Sequence, residues 1–387
     1  MRDLPADVNP ARVSAARAPR VRERRIDVFR GLALAMIFIN HAPETVYETL
    51  TSRNFGFSDA AEGFVFLSGT SAALAYAGAM AAPRLWPGIA RIWGRSWTLY
   101  LVHLFVSAWV IAIAAATWVF GQSMALLERD NLQFLLSDPF GVLIGLPLMT
   151  HQIGYVNILP MYAMLLLAAP GLLLAATRWP GWTLAGSVGL WVAASLFGLN
   201  LPNYPTEGGW FLNPLSWQLL FTLGILTGVA LRAGRRFVPR SRVLTVASWA
   251  MLALALVWIK LPGVAEAGNA FMVRLADAGL PPLIRDFDKT YLCLPRLAHA
   301  LALIYLLSSL KWVERLSQSR WTEPLAVMGR MALPVFALGT ILSFAVRAVK
   351  AVAGDTFVLD SLLIAAGLMI MWAFARTREA SRRAVAV

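Results

Sequence analysis

"DVFRGLALAMIFINHAPE", residues 27–44, decides how this chain is read. The run is apolar for about the 20 residues that ~30 Å of hydrocarbon requires at ~1.5 Å per helical residue. Yet it carries Arg30 near one end and His41 near the other. Eleven residues at ~100° each return the two side chains to within about 20° of one helix face, with ~16.5 Å of rise between them. A charged group at mid-span costs about 2.5–3.5 kcal/mol on insertion scales, so a functional role is the first hypothesis. A neutral histidine hydrogen-bonded between helices is the structural alternative.

The rest of the chain agrees with a membrane reading. Of its 387 residues, 58% are hydrophobic and 14% charged, against roughly 25% charged in a soluble protein. Ten helical spans are predicted, at 27–47, 59–80, 96–119, 156–176, 182–199, 213–231, 243–260, 291–310, 329–348 and 357–375. A β-barrel would instead show ~10-residue alternating segments. The piece "PFGVLIGLPLMT" (139–150) is too brief to cross and suits a half-helix at the outer face. The expected architecture is therefore an all-α, polytopic bundle in contact with the lipid bilayer. A polar tail over 1–25 precedes the membrane domain at 26–376, and a short tail follows at 377–387. The run after Ile26 is too long for a signal peptide and no small-x-small site follows it, so the first span is expected to stay as an anchor.

The net charge of +13 does not point to nucleic acid, because the arginines stand in short connections between apolar runs. Alternate connections are basic (Arg84, Arg91 and Arg95; Arg178; Arg232 to Arg242; Lys311 to Arg320; Arg376 to Arg383), and the others are mixed or acidic. That asymmetry predicts both termini in the cytoplasm. With Cys293 the single cysteine, no intramolecular disulfide is possible. Walker A, GxSxG, HExxH and CxxC signatures are all missing, so nucleotide hydrolysis, α/β-hydrolase chemistry and a zinc site have no support.

Several polar groups are candidates to work with His41. Glu44 and Glu48 follow it at helical spacing, and Asp59 and Glu62 open the second span at comparable depth. A carboxylate beside an imidazole fixes its tautomer and raises its basicity, as a general base requires; acids at a helix start also serve simply as terminal charges. Arg91 and Arg95 share a face at the membrane edge, suited either to a phosphate-bearing ligand such as coenzyme A or to positive-inside anchoring. His103 lies on nearly the same face, deeper, and is expected to line the same cavity. His151 is expected to be a solvated loop residue. In "DKTYLCLPRLAHALAL" (288–303), Asp288 sits at the edge, while Arg296 and His299 fall inside a span, where an arginine must be paired or face a cavity. Ser68 to Ala73 look like a close-packing face, and Asn213, Trp217 and Gln218 like polar links between helices.

Taken in order, "RIDVFRGLALAMIFINHAP" (25–43), "RNFGFSDAAEGFVFLSGTSAAL" (53–74), "NILPMYAMLLLAAP" (157–170), "NPLSWQLLFTLG" (213–224), "DKTYLCLPRLAHALAL" and "MGRMALPVFALGTILSF" (328–344) resemble the OpgC family along almost the whole chain. The resemblance implies transfer of succinyl groups to osmoregulated periplasmic glucans in the inner membrane of Gram-negative bacteria. The first two spans also resemble the wider inner-membrane acyltransferases that O-acylate surface sugars from acyl-coenzyme A. There an arginine, ten residues and a histidine form the catalytic motif, matched here by Arg30 and His41, and a Ser-Gly motif is matched by Ser68 and Gly69. Two departures stand out. The wider family's arginine pair is three apart, whereas Arg91 and Arg95 are four apart, and its late motif ends in a histidine where this chain has Gly339.

The expected function is thus O-acyl transfer, with acyl-coenzyme A, succinyl-coenzyme A in particular, as co-substrate and no bound cofactor or metal. A periplasmic glucan is the expected acceptor. His41 is the candidate base, with Glu62 or Asp59 as its orienting acid. Arg30, Arg91 and Arg95 are candidates for the donor, and His103, Asp288, Arg296 and His299 for substrate. The rivals are a transporter whose His–carboxylate set relays protons, and an O-acetyltransferase for another surface or lipid-linked glycan.

Overall fold

The computed structural model describes residues 23–42, 44–80 and 84–385. Among them every regular element is helical: α1 (Arg24–His41), α2 (Ala60–Met80), α3 (Trp86–Gly121), α4 (Phe134–Ser137), α5 (Pro139–Gly145), α6 (Ile158–Arg178), α7 (Pro180–Leu196), α8 (Pro214–Arg232), α9 (Arg242–Lys260), α10 (Pro262–Asp277), α11 (Pro282–Arg285), α12 (Leu294–Ser309), α13 (Lys311–Gln318), α14 (Glu323–Arg330), α15 (Ala332–Ala353) and α16 (Phe357–Val385). Seven of these are long and apolar enough to cross a membrane: α2, α3, α6, α8, α9, α15 and α16. The pair α12 and α13, bent by 70°, makes an eighth if counted as one broken span. The protein is a multi-pass helical membrane protein. Each of the ten expected spans holds a helix, but α7 and α12 are only 17 and 16 residues long, and α1 carries four charged residues.

Local sequence sets most of the boundaries. Proline stands in the first turn of α3, α5, α7, α8, α10, α12 and α14, where its missing N–H costs nothing. Asp138, Asn213 and Ser241 cap α5, α8 and α9 by accepting from Gly141, Leu215 and Leu244 amides.

Helices meet where glycine lets backbones touch. A Cβ on Gly69 would stand 2.1 Å from the Phe221 carbonyl, and one on Gly224 2.1 Å from that of Phe66. The expected small-residue face of α2 is therefore a seam against α8, the close approach that helix association in lipid relies on. Gly31 and Gly329 do the same between α1 and α14, where added Cβ atoms would meet the carbonyls of Leu325 and Asp27. Ser187 and Gln218 join α7 to α8 through paired hydrogen bonds of 2.6 and 2.8 Å, and Trp217 donates to the Lys289 carbonyl at 2.9 Å. The polar links expected of Trp217 and Gln218 are present.

The bundle has two unlike ends. At the basic end Arg24 bonds the Ser319 carbonyl and Glu323, Arg236 bonds the Ser308 carbonyl, and Arg330 pairs with Glu379. At the opposite, loop end lie the connections 44–59, 122–157, 198–213 and 278–293.

Three expectations change. The first span ends at His41 rather than at residue 47, since Ala42 adopts an extended conformation ahead of Pro43, as residues preceding proline do. The expected span 329–348 is broken: Met331 (φ −107°, ψ 35°) separates α14 from α15. A connection between the seventh and eighth spans instead contains α10, a 16-residue helix without buried residues that folds back beside α9. The piece expected to be too short to cross holds only the seven residues of α5. Of the expected tails, residues 1–22 lie outside the described residues, Arg24 and Arg25 already belong to α1, and residues 377–385 continue α16.

Candidate active site

His41 is the last helical residue of α1, so its imidazole enters at the loop end. The ring lies on the Tyr155 ring, with centroids 3.6 Å apart and planes inclined by 31°. Its carbonyl, one of those a helix end leaves without an internal partner, accepts from Nε of Arg347 at 3.1 Å. The side chain also borders a crevice of about 10 Å³ formed with Leu34 and Phe38 of α1, Phe336, Gly339 and Thr340 of α15, and Met371 of α16. Gly339, the position at which the late motif departs from the wider family, is therefore next to His41.

Toward the basic end a second crevice lies among α2, α3, α6 and α15, with Arg30 entering it from α1. It has about 20 Å³ of space and is walled by Arg30, Arg95 of α3, Tyr162 of α6 and, again, Phe336. That is room for about one water molecule. Arg30 and His41 thus border two separate crevices that share Phe336. Arg95 joins Arg30, whereas Arg91, one turn away, is exposed and borders neither crevice.

The expected acids are engaged elsewhere. Asp59 and Glu62 form a capping box at the start of α2: Asp59 Oδ1 accepts from the Ala61 amide at 2.8 Å, and Glu62 Oε2 from the Asp59 amide at 2.9 Å. Glu62, fully buried, binds Arg296 at 2.5 and 3.0 Å, and Asp59 binds Lys289 at 2.5 Å and approaches Arg296 at 3.6 Å. Arg296 therefore has the partners that its depth requires. Among the described residues no carboxylate is ion-paired to His41. Glu44 and Glu48 leave the His41 face with the end of the helix; Glu44 is exposed at φ 64°, and Glu48 is 3.9 Å from Arg53.

The remaining candidates are scattered. His103 is fully buried on α3 and borders neither crevice, so it does not share the Arg95 cavity. His151 is buried rather than solvated, packed beside Phe134, and burial lowers its pKa. Asp288 turns back to accept from the Thr290 and Tyr291 amides at 3.1 and 3.0 Å. His299 bonds Ser58 Oγ at 2.7 Å and packs against Gly56, where a Cβ would stand 1.9 Å from its Nε2. A much larger cavity, about 600 Å³ and mostly apolar, lies between α1, α2, α8, α9 and α12. Its walls include Arg25 and Arg236 at the basic end and Ser58 and Asp59 at the loop end, but neither Arg30 nor His41.

Sequence reasoning overlooked Arg347 and Tyr155. The signal for Arg347 was available, since an arginine inside the ninth expected span deserves the argument applied to Arg296. Tyr155 offered none, being one aromatic residue among many at a span end.

The family profile described as OpgC protein matches residues 22–383, nearly the whole sequence. The chain belongs to that family, and membership points to acyl transfer. No curated protein matches the sequence.

Proposed function

We propose that this member of the OpgC family is an inner-membrane O-acyltransferase that moves an acyl group, succinyl by preference, from acyl-coenzyme A to hydroxyls of a periplasmic glucan. One observation carries the reading: Arg30 with Arg95 borders one crevice, His41, resting on Tyr155, borders another, and Phe336 of α15 borders both. In this reading α1, α7 and α12 join the seven longer spans to make ten, with both termini cytoplasmic and the basic end inside. The donor then reaches Arg30 and Arg95 from the cytoplasm, while His41 stands ~16.5 Å further along α1, toward the acceptor's compartment. Guanidinium groups suit the phosphates of coenzyme A.

In the reaction His41 takes the proton of a glucan hydroxyl as its oxygen attacks the thioester carbonyl. The new C–O bond forms, the C–S bond breaks, and the proton passes to the departing thiolate, giving an ester and free coenzyme A. Both crevices are narrow in this state, so donor binding must open them.

The test is thioester cleavage and acyl transfer by purified protein in detergent, with succinyl-coenzyme A and periplasmic glucan. Glucan should gain the succinyl mass and one negative charge per event. An acetyl-sized, neutral gain would reject the succinyl donor and keep the reaction class. The large cavity, bordered by charges at both ends, favours a second reading as a transporter. Absence of any thioester cleavage or transfer in detergent would favour it. Reporter fusions test the topology: those after residues 53, 130 and 207 should read periplasmic, and those after 90 and 237 cytoplasmic.

A further inference from the structure

We infer that Arg347 and Tyr155 are positioning residues for His41, and that Asp130 sets Arg347 in place. The inference rests on the reading of His41 as the base. A base oriented by a carboxylate is the arrangement expected from the sequence, yet among the described residues no acid is paired to this imidazole. One guanidinium, that of Arg347, holds the surroundings of His41 instead, and each of its nitrogens has a different task. Nε holds the His41 carbonyl, which ties the end of α1 to α15. NH2 donates to the Tyr155 hydroxyl at 2.8 Å, while the guanidinium lies 4.6 Å from the centre of the same ring. NH1 is paired with Asp130. Arg347 thereby fixes both the backbone that carries the imidazole and the surface on which the imidazole rests.

Arg347 is 10% exposed, and each of its nitrogens has a partner within the protein, so its role is to position His41. The ring nitrogens of His41 make no hydrogen bond among the described residues, which leaves them to a substrate hydroxyl. Asp130, one step removed, offsets the charge of the buried guanidinium without occupying the imidazole.

The two loops that deliver these groups are locked to one another. Asp130 and Asn131 both adopt left-handed backbone (φ 59° and 68°), and the Asp130 carbonyl accepts from the Gly154 amide at 2.9 Å. Asn131 Nδ2 donates to the Gln152 carbonyl at 2.9 Å. Gly154 has φ 39°, and a Cβ there would stand 2.8 Å from Cβ of Asp130. No larger residue fits without moving Asp130 or the turn that carries Tyr155.

The experiment uses the full-length protein in detergent, with succinyl-coenzyme A and purified periplasmic glucan. Small misplacement of a reacting group can cost about 100-fold. Arg347→Lys and Tyr155→Ala should therefore lower kcat by roughly 10- to 100-fold while KM for succinyl-coenzyme A stays within about two-fold. Tyr155→Phe keeps the ring, and with it the fold, and should lose only about three- to ten-fold. Gly154→Ala and Asp130→Asn, which both disturb the Asp130 hold on Arg347, should each lower kcat by roughly three- to ten-fold. A second readout needs no turnover: carbethoxylation of His41 by diethylpyrocarbonate, followed by peptide mass. His103, His151 and His299 are buried, so His41 is the reactive imidazole. Freed from Tyr155, it should be modified several-fold faster in Tyr155→Ala and Arg347→Lys. Unchanged kcat and unchanged modification in both variants overturn the inference. If His41→Gln still transfers, the base assignment fails instead, and the modification rates still decide whether Arg347 and Tyr155 hold the ring.

Discussion

Two clusters of charge sit side by side at the loop end, and they are built on opposite plans. Around Glu62, each ionised group finds an opposite charge: Glu62 and Asp59 close on Arg296 and Lys289, while Asp59 also accepts from the Ala61 amide of α2 and Glu62 from the Asp59 amide just before it. Around His41 the links run to its backbone carbonyl and to its ring face, and among the described residues its ring nitrogens make no hydrogen bond. The first plan is that of a structural joint between α2 and the segment leading into α12. The second is that of a reactive group held still. A buried charge is therefore no guide to chemistry until its partners are counted.

The comparison breaks most readily at His41. His41→Gln keeps volume and hydrogen bonding but lacks a base that titrates near neutrality. Acyl transfer should fall about 10²–10⁴-fold, or roughly 3–5 kcal/mol at the transition state, with thermal stability little changed. Turnover within a few-fold of wild type would make the histidine structural and put both clusters on one plan.

Glu62→Gln should do the reverse. Arg296 would lose its principal partner in a buried site, at a cost of roughly 3–5 kcal/mol of stability. The melting temperature in detergent should drop, while KM for succinyl-coenzyme A in the protein that remains folded should not change. Glu62→Leu combined with Arg296→Leu, leaving Asp59 to Lys289, should recover most of the loss, because an apolar pair of similar volume often replaces a buried ion pair without penalty. A stable Glu62→Gln protein with no turnover would move Glu62 into the reaction.

Smaller effects separate the arginines. Arg30→Lys and Arg95→Lys should each raise KM for succinyl-coenzyme A about ten-fold, the equivalent of one charge-assisted hydrogen bond of ~1.5 kcal/mol. Equal KM values in wild type and both variants would remove the donor from that crevice. Arg91→Ala, at an exposed position, should shift kcat/KM by no more than about two-fold, the ~0.5 kcal/mol of an ordinary surface change. A ten-fold loss there would restore the adjacent arginines as a pair.

The sequence by itself determined that this is a helical membrane protein, that it belongs with OpgC, and that Arg30 and His41 share a face. Those readings depend on composition, on motif order and on periodicity within one helix, all of which are local. It also placed Gly69 on a packing face and required a partner for Arg296. Only the tertiary structure decided who the partners are. Arg347 bonds a carbonyl 306 positions away in the chain, and Arg296 an acid 234 positions away. No periodicity carries such distances, and any of several acids near the loop end satisfied the same local rules. The choice between Glu62 and Arg347 as neighbours of His41 depends on where α1 stops and how α15 packs beside it. Pro43 marked the first of these in the sequence, and close packing against α1 settled the second.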